Sequence, residues 1–459
     1  MEAAKIEEVV ERQRAFFQTH ATLDIPYRKL ALERLYRAVR IREGEIARAL
    51  KEDLGKSPDE SYMCETGLTL SEIRYQISHM ERWGRSRPHP TGLANSISYG
   101  RTVPVPYGVA LIMAPWNYPF LLMLEPLAGA IAAGNCCVLK PSAYAPASGK
   151  VLSDICASCL PPELVSVVEG GRAENEALLD QVWDYIFFTG SPHVGRLVME
   201  RASKNLTPVS LELGGKSPCI IERTADLAAA AARVAFGKWL NVGQTCVAPD
   251  YVLVDRAVHD EFLRLLCREV RKMYGPEPLK NPDYGKMVNR KHYDRVRGLI
   301  DPAKVVLGGE VDEEALRIAP TVMDGVTAGD AVMGEEIFGP VLPVITYDTL
   351  DAAQRFIEGR PTPLALYLFT RDREVEERIM REVPFGGGCV NDTIIHLATS
   401  SMGFGGMGNS GMGSYHGKKS FDTFSHEKSI VKKLNRPDLP MRYQPYAGWK
   451  SRLVRAFLH

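Results

Sequence analysis

The sequence has no excess of charge of either sign. Lys plus Arg number 56 and Asp plus Glu number 56 in 459 residues, so the formal net charge is zero. Nucleic-acid-binding chains carry a basic surplus, and this chain has none; acidic and basic tails are missing too. No long hydrophobic run is present. The most apolar stretch, 119–139, is broken by Glu125, Pro126 and Asn135, whereas a spanning helix needs about 20 predominantly apolar residues. The beginning, Met-Glu-Ala-Ala-Lys-Ile-Glu-Glu, is charged and lacks the apolar block of a signal peptide. The expectation is a cytoplasmic protein with no membrane span and no nucleic-acid partner.

Paired cysteines and metal-ligand spacings are also missing. Nine cysteines, an odd number scattered over a long chain, argue against a disulfide framework and for reduced thiols. Cys156 and Cys159 form a C-x-x-C on a predicted helix, but there is no second pair, and they read as two small buried helix residues. The ten histidines include no H-E-x-x-H and no close pair, so no metal is expected. There is no internal repeat; the Gly/Met-rich stretch 402–413 is the nearest thing to low complexity.

What remains is an ordinary globular composition, 45% hydrophobic and 24% charged, long enough for two to four domains at roughly 100–200 residues each. The first ~85 residues read as helical, with apolar residues at helical spacing through 31–39 and 71–83. A Pro/Gly/Ser-rich stretch follows at 84–106; within it 97–103 alternates as an exposed strand does. From residue 109 short apolar strands (109–113, 136–140, 165–169, 185–189) alternate with helices (120–133, 147–160, 172–181). That alternation implies a parallel sheet with helices on both faces and a nucleotide at the carboxyl ends of its strands. A second alternation follows Leu213, with helices at 225–240 and 259–273 and strands at 251–254, 304–307, 341–347 and 365–369. The fold class is α/β. In the tail, 420–425 alternates like a strand, and 436–459 carries Tyr443, Tyr446, Trp449 and Phe457 among basic residues, too short and interrupted to span a bilayer.

Gly403-Phe-Gly-Gly-Met-Gly408 matches G-x-G-x-x-G, but no good strand precedes it and no helix can follow it, so it reads as a flexible loop and not a dinucleotide fingerprint. Phe188-Thr-Gly-Ser-Pro-His-Val-Gly-Arg196 is a better phosphate site. It follows a strand, Ser191 is a good N-cap and Pro192 suits the first helical position, and the free N–H groups there attract phosphate. An ordinary capped helix fits the same residues. Leu211-Glu-Leu-Gly-Gly-Lys-Ser-Pro218 places Glu212 at an apolar strand end, where a carboxylate has a raised pKa and can accept a proton near neutrality. Asn241-Val-Gly-Gln-Thr-Cys-Val-Ala-Pro249 places Cys246 in a loop after a helix; a thiol is the strongest side-chain nucleophile at neutral pH. Spacing alone leaves open that Cys246 is a small buried residue.

Taken together, Pro115-Trp-Asn-Tyr-Pro119, Lys140-Pro-Ser142, Phe188-Thr-Gly-Ser191, Leu211-Glu-Leu-Gly-Gly-Lys216, Gly243-Gln-Thr-Cys246 and Glu336-Ile-Phe-Gly-Pro340 resemble the aldehyde dehydrogenase superfamily, in the family's order. The short N-terminal region and Ser414-Tyr-His-Gly-Lys-Lys-Ser-Phe-Asp-Thr-Phe-Ser425 resemble its class 3 branch, which includes dimeric and fatty-aldehyde enzymes.

The resemblance implies a Rossmann-like cofactor domain (1–87 and 107–212), an α/β catalytic domain (213–395), an oligomerisation arm with a C-terminal extension (88–106 and 413–459), and a glycine loop on the substrate side (396–412). It implies an aldehyde substrate, NAD or NADP as cofactor, and a homodimer. Cys246 would be the nucleophile, Asn117 and the Cys246 N–H the oxyanion donors, and Glu212 the base that activates water. Lys140 would bond the adenosine ribose. Gly190, Ser191, Pro192, His193, Val194 and Gly195 would carry the pyrophosphate, and Glu336 and Phe338 would position the nicotinamide end. Trp116 is placed beside the cofactor and pocket. Glu336 is chosen over Glu335 because it directly precedes Ile-Phe-Gly-Pro. Many relatives follow Lys-Pro-Ser with Glu; Ala143 stands there here, which opens the NAD-versus-NADP choice. Two rival readings are a CoA-acylating dehydrogenase, against which Glu212 speaks, and a non-catalytic protein with the same fold.

Overall fold

A computed structural model describes residues 3–91, 98–436, 438–446 and 448–457. Ser96 and Ile97, at the start of the alternating ribbon, lie outside the described residues.

The strand–helix alternation builds two open sheets. In the first, Val109–Met113 is central, flanked by Cys136–Lys140 and Val165–Val167 on one side and by Tyr185–Thr189 and Val209–Glu212 on the other, all parallel. Chain direction across the sheet reverses beside Val109–Met113, the place where such sheets open a crevice for a ligand. The second sheet runs Val305–Leu307, Thr321–Met323, Val341–Tyr347, Tyr251–Asp255, Pro218–Ile221, Ala365–Phe369 and Gly387–Val390, antiparallel only at the first pair. A third, antiparallel sheet joins Arg87–His89, Ser98–Pro106 and Ser425–Lys433. The two segments expected to form an arm thus pair with each other within one chain.

The Leu121–Ala133 helix is buried along its whole length, and the N-terminal helices pack on it and on Pro146–Cys159. Cys156 is buried there and Cys159 partly so, both as free thiols. Among the described residues no helix is long and apolar enough to cross a membrane.

Two expectations are corrected. Residues 420–425 do not form a strand: Lys418–Thr423 is a helix, and the strand begins at Ser425. Phe421 and Phe424, three apart, lie on one helical face and are both buried, against Trp83 and against Tyr185 and Phe187. Spacing of three satisfies a helix as well as a loose alternation does, and the available core selected the helix. The glycine loop is closely packed and not an open turn. Gly411–Met412 adds an antiparallel edge to Leu211–Glu212, and Phe404 and Tyr415 exchange backbone hydrogen bonds of 2.9 Å. Side chains on Gly406 and Gly411 would overlap the carbonyls of Ser410 and Leu211. The glycines are there so that backbone can lie on backbone.

One buried ion pair ties the N-terminal helices to this framework. The Pro58–Ser61 helix runs into a wider turn, Tyr62–Thr66, that carries Glu65 inward. Lys56 and Glu65 are 1% and 0% exposed and 2.6 Å apart. Lys56 also donates to the Asn117 carbonyl (2.9 Å) and lies 4.0 Å over the Tyr118 ring. The other Glu65 oxygen accepts the N–H groups of Phe120 and Leu121 at 2.9 and 3.2 Å, where a helix start favours negative charge. Glu65→Ala leaves Lys56 buried without its counter-ion, and the expected loss is about 3–5 kcal/mol of stability. Urea unfolding checks this; a loss below about 1 kcal/mol contradicts the assignment.

Candidate active site

The Leu227–Trp239 helix ends in a turn where Asn241, Val242 and Gly243 take φ of 50°, 58° and 72°. Three successive left-handed residues, one of them β-branched, are costly and persist only when surroundings over-determine them. Here they do. Val242 is 1% exposed and packs on Gly285. The Asn241 N–H donates to Glu60 Oε1 (2.9 Å), and its amide donates to the carbonyls of Asn117 (2.9 Å) and Gln244 (3.1 Å). The Gln244 amide in turn donates to Asn241 and Lys286 carbonyls and accepts from the Val288 N–H. This turn carries Cys246 to the mouth of the crevice. Burial, with Glu336 and Glu212 facing the thiol, pushes it up to about 12, while the N–H groups of Cys246 and Val247 oppose the rise. At neutral pH the resting thiol keeps its proton.

Asn117 Nδ2 donates to the Gln244 carbonyl at 3.0 Å. An acceptor there forces the NH₂ end of the amide toward the cysteine loop. An amide nitrogen has two N–H groups, so a second is left to meet a developing oxyanion beside the Cys246 N–H. The Tyr118 hydroxyl pairs with Thr245 at 2.6 Å, tying the same segment to the residue before the thiol.

Glu212 ends its strand under the glycine loop. Its carbonyl accepts from the Gly190 N–H (3.0 Å), and the Leu213 N–H donates to Ser410 (3.0 Å). The side chain is 3% exposed, and neither carboxyl oxygen has a hydrogen-bond partner. Desolvation alone pushes it well above the usual carboxylate range. Gly405 abuts this carboxyl: a Cβ there would sit 3.2 Å from Glu212 Oε1. A buried, unpartnered carboxylate of this kind is expensive and is suited to accept a proton from water near neutral pH.

The cofactor-side residues stand at the carboxyl ends of the first sheet. Lys140 donates to the carbonyls of Pro141 and Gly170, both at 2.7 Å, and burial pulls it down to about 8 against Glu174 and Glu169. An ammonium has three donors, so one remains for a ligand. Ser191 caps the Pro192–Ser203 helix through a long 3.4 Å contact from the Val194 N–H. The N–H of His193 stays outside the helix ladder, whereas those of Gly190 and Gly195 are taken by the Glu212 and Ser191 carbonyls. Gly195 instead lets the helix approach Leu213. On the far side, Glu336 rests on Gly214, accepts from the Gly215 N–H, and is raised to about 8 by burial and Asp250. Arg295 holds the Glu336 and Ile337 carbonyls, and Asp250 the Ile337 N–H. Phe338 turns into the left-handed region at φ 48° and meets Trp116 edge-on at 5.4 Å; the Trp116 ring also lies 5.1 Å from His292. Glu335 is 62% exposed and paired with Arg295. Ala143 is exposed in the turn before Pro146–Cys159.

Sequence reasoning missed Lys56, Glu65, Gln244, Arg295 and Lys238. Lys238 is fully buried on the Leu227–Trp239 helix, its ammonium has no hydrogen-bond partner, and burial lowers it to about 8 near Asp250, Lys216 and Glu336. The available signal was a lysine on the apolar face of that helix, four residues from Val234. Among the described residues no cluster of three His, Cys, Asp or Glu could hold a metal ion.

Comparison with known proteins agrees with this geometry. The aldehyde dehydrogenase family model matches residues 1–430. The chain is 45% identical to 4,4'-diaponeurosporen-aldehyde dehydrogenase of Staphylococcus aureus over 98% of this chain and 99% of that protein. It is 41% identical to aldehyde dehydrogenase family 3 member H1 of Arabidopsis thaliana over 99% and 95%. A solved substrate-bound state of Staphylococcus aureus AldH superposes with a TM-score of 0.97 at 44% identity, covering 99% of each chain. The chain therefore belongs to the aldehyde dehydrogenase family and is an oxidoreductase that acts on aldehydes with NAD or NADP.

Proposed function

We propose that Cys246, Asn117 and Glu212 carry the oxidation of an aldehyde to a carboxylic acid. The carrying observation is that a buried, unpartnered Glu212 carboxyl, covered by Gly405 of the glycine loop, acts electrostatically on the partly exposed Cys246 thiol. The Cys246 sulfur adds to the aldehyde carbon, and the Asn117 amide and the Cys246 N–H hold the oxygen as charge develops, a contribution of several kcal/mol in such sites (about 2.7–4 for one donor). Bound NAD(P)+ supplies the hydride acceptor. Glu212 takes a proton from water, and the hydroxide so formed attacks the acyl carbon on sulfur and frees the acid. A CoA-acylating enzyme has no use for this base, and a non-catalytic chain none for the strained cysteine turn.

The residues present fit the cofactor. Lys140 has a free donor for a ribose hydroxyl, the Ser191-capped helix offers the His193 N–H to phosphate, and Glu336, which acts on Cys246, and Phe338, which packs on Trp116, would hold the nicotinamide end. We read 1–87 with 107–212 as the cofactor domain, 213–395 as the catalytic domain, and the third sheet and tail as the oligomerisation element of a cytoplasmic homodimer. In the single chain Tyr443, Tyr446 and Trp449 are exposed, which packing across a dimer would cover. The Staphylococcus aureus relative is named for 4,4'-diaponeurosporen-aldehyde. Met402, Met407 and Ile395 stand exposed on and beside the glycine loop, and we assign an apolar aldehyde.

Cys246→Ser should abolish turnover while NAD binding stays near wild type, because an alkoxide is far harder to form than a thiolate; turnover within about tenfold of wild type contradicts the nucleophile. Glu212→Gln keeps shape and removes proton acceptance. Stopped-flow absorbance should show a burst near one NADH per subunit followed by a stall, and an unchanged steady state assigns the base elsewhere. A carboxylate repels a 2′-phosphate, and Ala143 supplies none, so both NAD and NADP should support activity. Ala143→Glu should lower kcat/KM for NADP relative to NAD; no detectable NADP activity in the parent chain overturns this.

A further inference from the structure

Beneath the glycine loop, outside the reacting groups, lies a second buried ionic cluster. His416 is 5% exposed and sits at φ 77°, a conformation histidine rarely adopts. Its Nε2 is 3.2 Å from Glu125 Oε2 on the wholly buried Leu121–Ala133 helix, and the ring also bonds the Leu397 backbone. The next residue, Gly417, donates its N–H to Glu72 Oε1 on the Gly67–Trp83 helix (2.9 Å) and accepts from Gln76 Nε2 (2.7 Å). Gln76 also donates to Glu72 Oε1 (2.7 Å), and the Ser400 hydroxyl bonds the same carboxyl. Gly417 lies directly on the Ser400 carbonyl, where a side chain would overlap it. Leu397 and Ser400 enter the glycine loop, and His416 and Gly417 leave it. One cluster therefore clasps both ends of the loop to two helices.

The clasp reaches the reacting groups through two rings. His416 stacks on Phe404 (5.5 Å, 22°) and meets Tyr415 edge-on at 4.3 Å. Phe404 and Tyr415 are joined by paired backbone hydrogen bonds. Phe404 precedes Gly405, the residue that abuts the Glu212 carboxyl.

We propose that His416, paired with Glu125 and braced by Glu72 and Gln76, is a positioning residue for thioester hydrolysis: it fixes the height of the glycine loop over Glu212 and keeps the base dry. This rests on Glu212 being the base. The groups facing His416 are Glu125, Glu72, Tyr415 and His396; the two carboxyls favour the charged imidazole. Those facing Glu212 are Cys246, Tyr185 and Tyr415, and none is a cation, so dryness alone sets its raised affinity for protons. A loop that lifts admits water, the Glu212 affinity falls toward the ordinary carboxylate range, and the acid limb of hydrolysis moves to lower pH.

The test compares full-length parent, His416→Gln, Gln76→Leu and Glu212→Gln for NADH burst, steady-state rate and pH profile. In His416→Gln the burst should stay near one per subunit, the steady-state rate should fall by about tenfold or more, and the acid limb should shift down by about half a pH unit or more. Gln76→Leu removes only a neutral brace and should show the same changes in smaller size, which keeps the test open if His416→Gln folds poorly. An acid limb and a burst-to-steady-state ratio matching the parent in both variants overturn the clasp. Normal turnover in Glu212→Gln would overturn the base assignment itself, a separate result.

Discussion

The Lys56–Glu65 ion pair is the contact on which the arrangement of Asn117 and the Cys246 turn depends. Two full charges are held away from water, a cost of several kcal/mol each, and every remaining bonding direction is used productively. The ammonium takes the Asn117 carbonyl, and the carboxylate takes the first N–H groups of the buried central helix. Asn117 is thereby fixed at both its backbone and, through Gln244, its side chain. The same carbonyl receives Asn241 from the cysteine turn. A side chain from the N-terminal helices, far from Cys246 in sequence, thus sets where Asn117 and the Cys246 turn stand relative to each other. Surface pairs such as Arg172–Glu176 contribute little by comparison, since water screens them.

The strained backbone follows the same logic. Among the described residues nine take positive φ without being glycine; Asn241, Val242, Phe338, Ile394 and His416 belong to the site region, and His20, Leu206, Leu316 and Asn391 are the others. Asn241 and Val242 precede Cys246, Phe338 packs on Trp116, and Ile394 and His416 flank the glycine loop. Each such residue costs of order 1–3 kcal/mol, offset by the buried bonds around it. Glu212 adds another unfavourable element, a carboxyl with no partner. Several of these unfavourable features lie around one crevice, between the two mostly parallel sheets.

Much of this was legible along the chain. Val109–Met113, Cys136–Lys140 and Tyr185–Thr189 are short apolar runs between helices, and they became central parallel strands. Ser191-Pro192 signalled a helix start and is one. The errors have a common origin. Phe421 and Phe424 were spaced ambiguously, and only the cavity beside Trp83, Tyr185 and Phe187 chose a helix over a strand. The glycines of 402–413 looked permissive in isolation; in place, neighbouring carbonyls occupy the space that side chains would need. Propensity records what one residue allows, and here the partner across the gap decided.

By itself the sequence determined the α/β class and most of the order of strands and helices, and it supplied the candidates for the reactive groups. Hydrophobic period, capping residues and motif order are local, written over a few consecutive positions. Only the tertiary structure decided that Lys56 and Glu65 would pair, that Lys238 would be sealed without a partner, and that Glu72, Glu125 and His416, about 50 and 290 residues apart along the chain, would meet at the ends of the glycine loop. Burial and electrostatic coupling depend on distance in space and on the exclusion of water, and neither quantity can be read from neighbours in the chain.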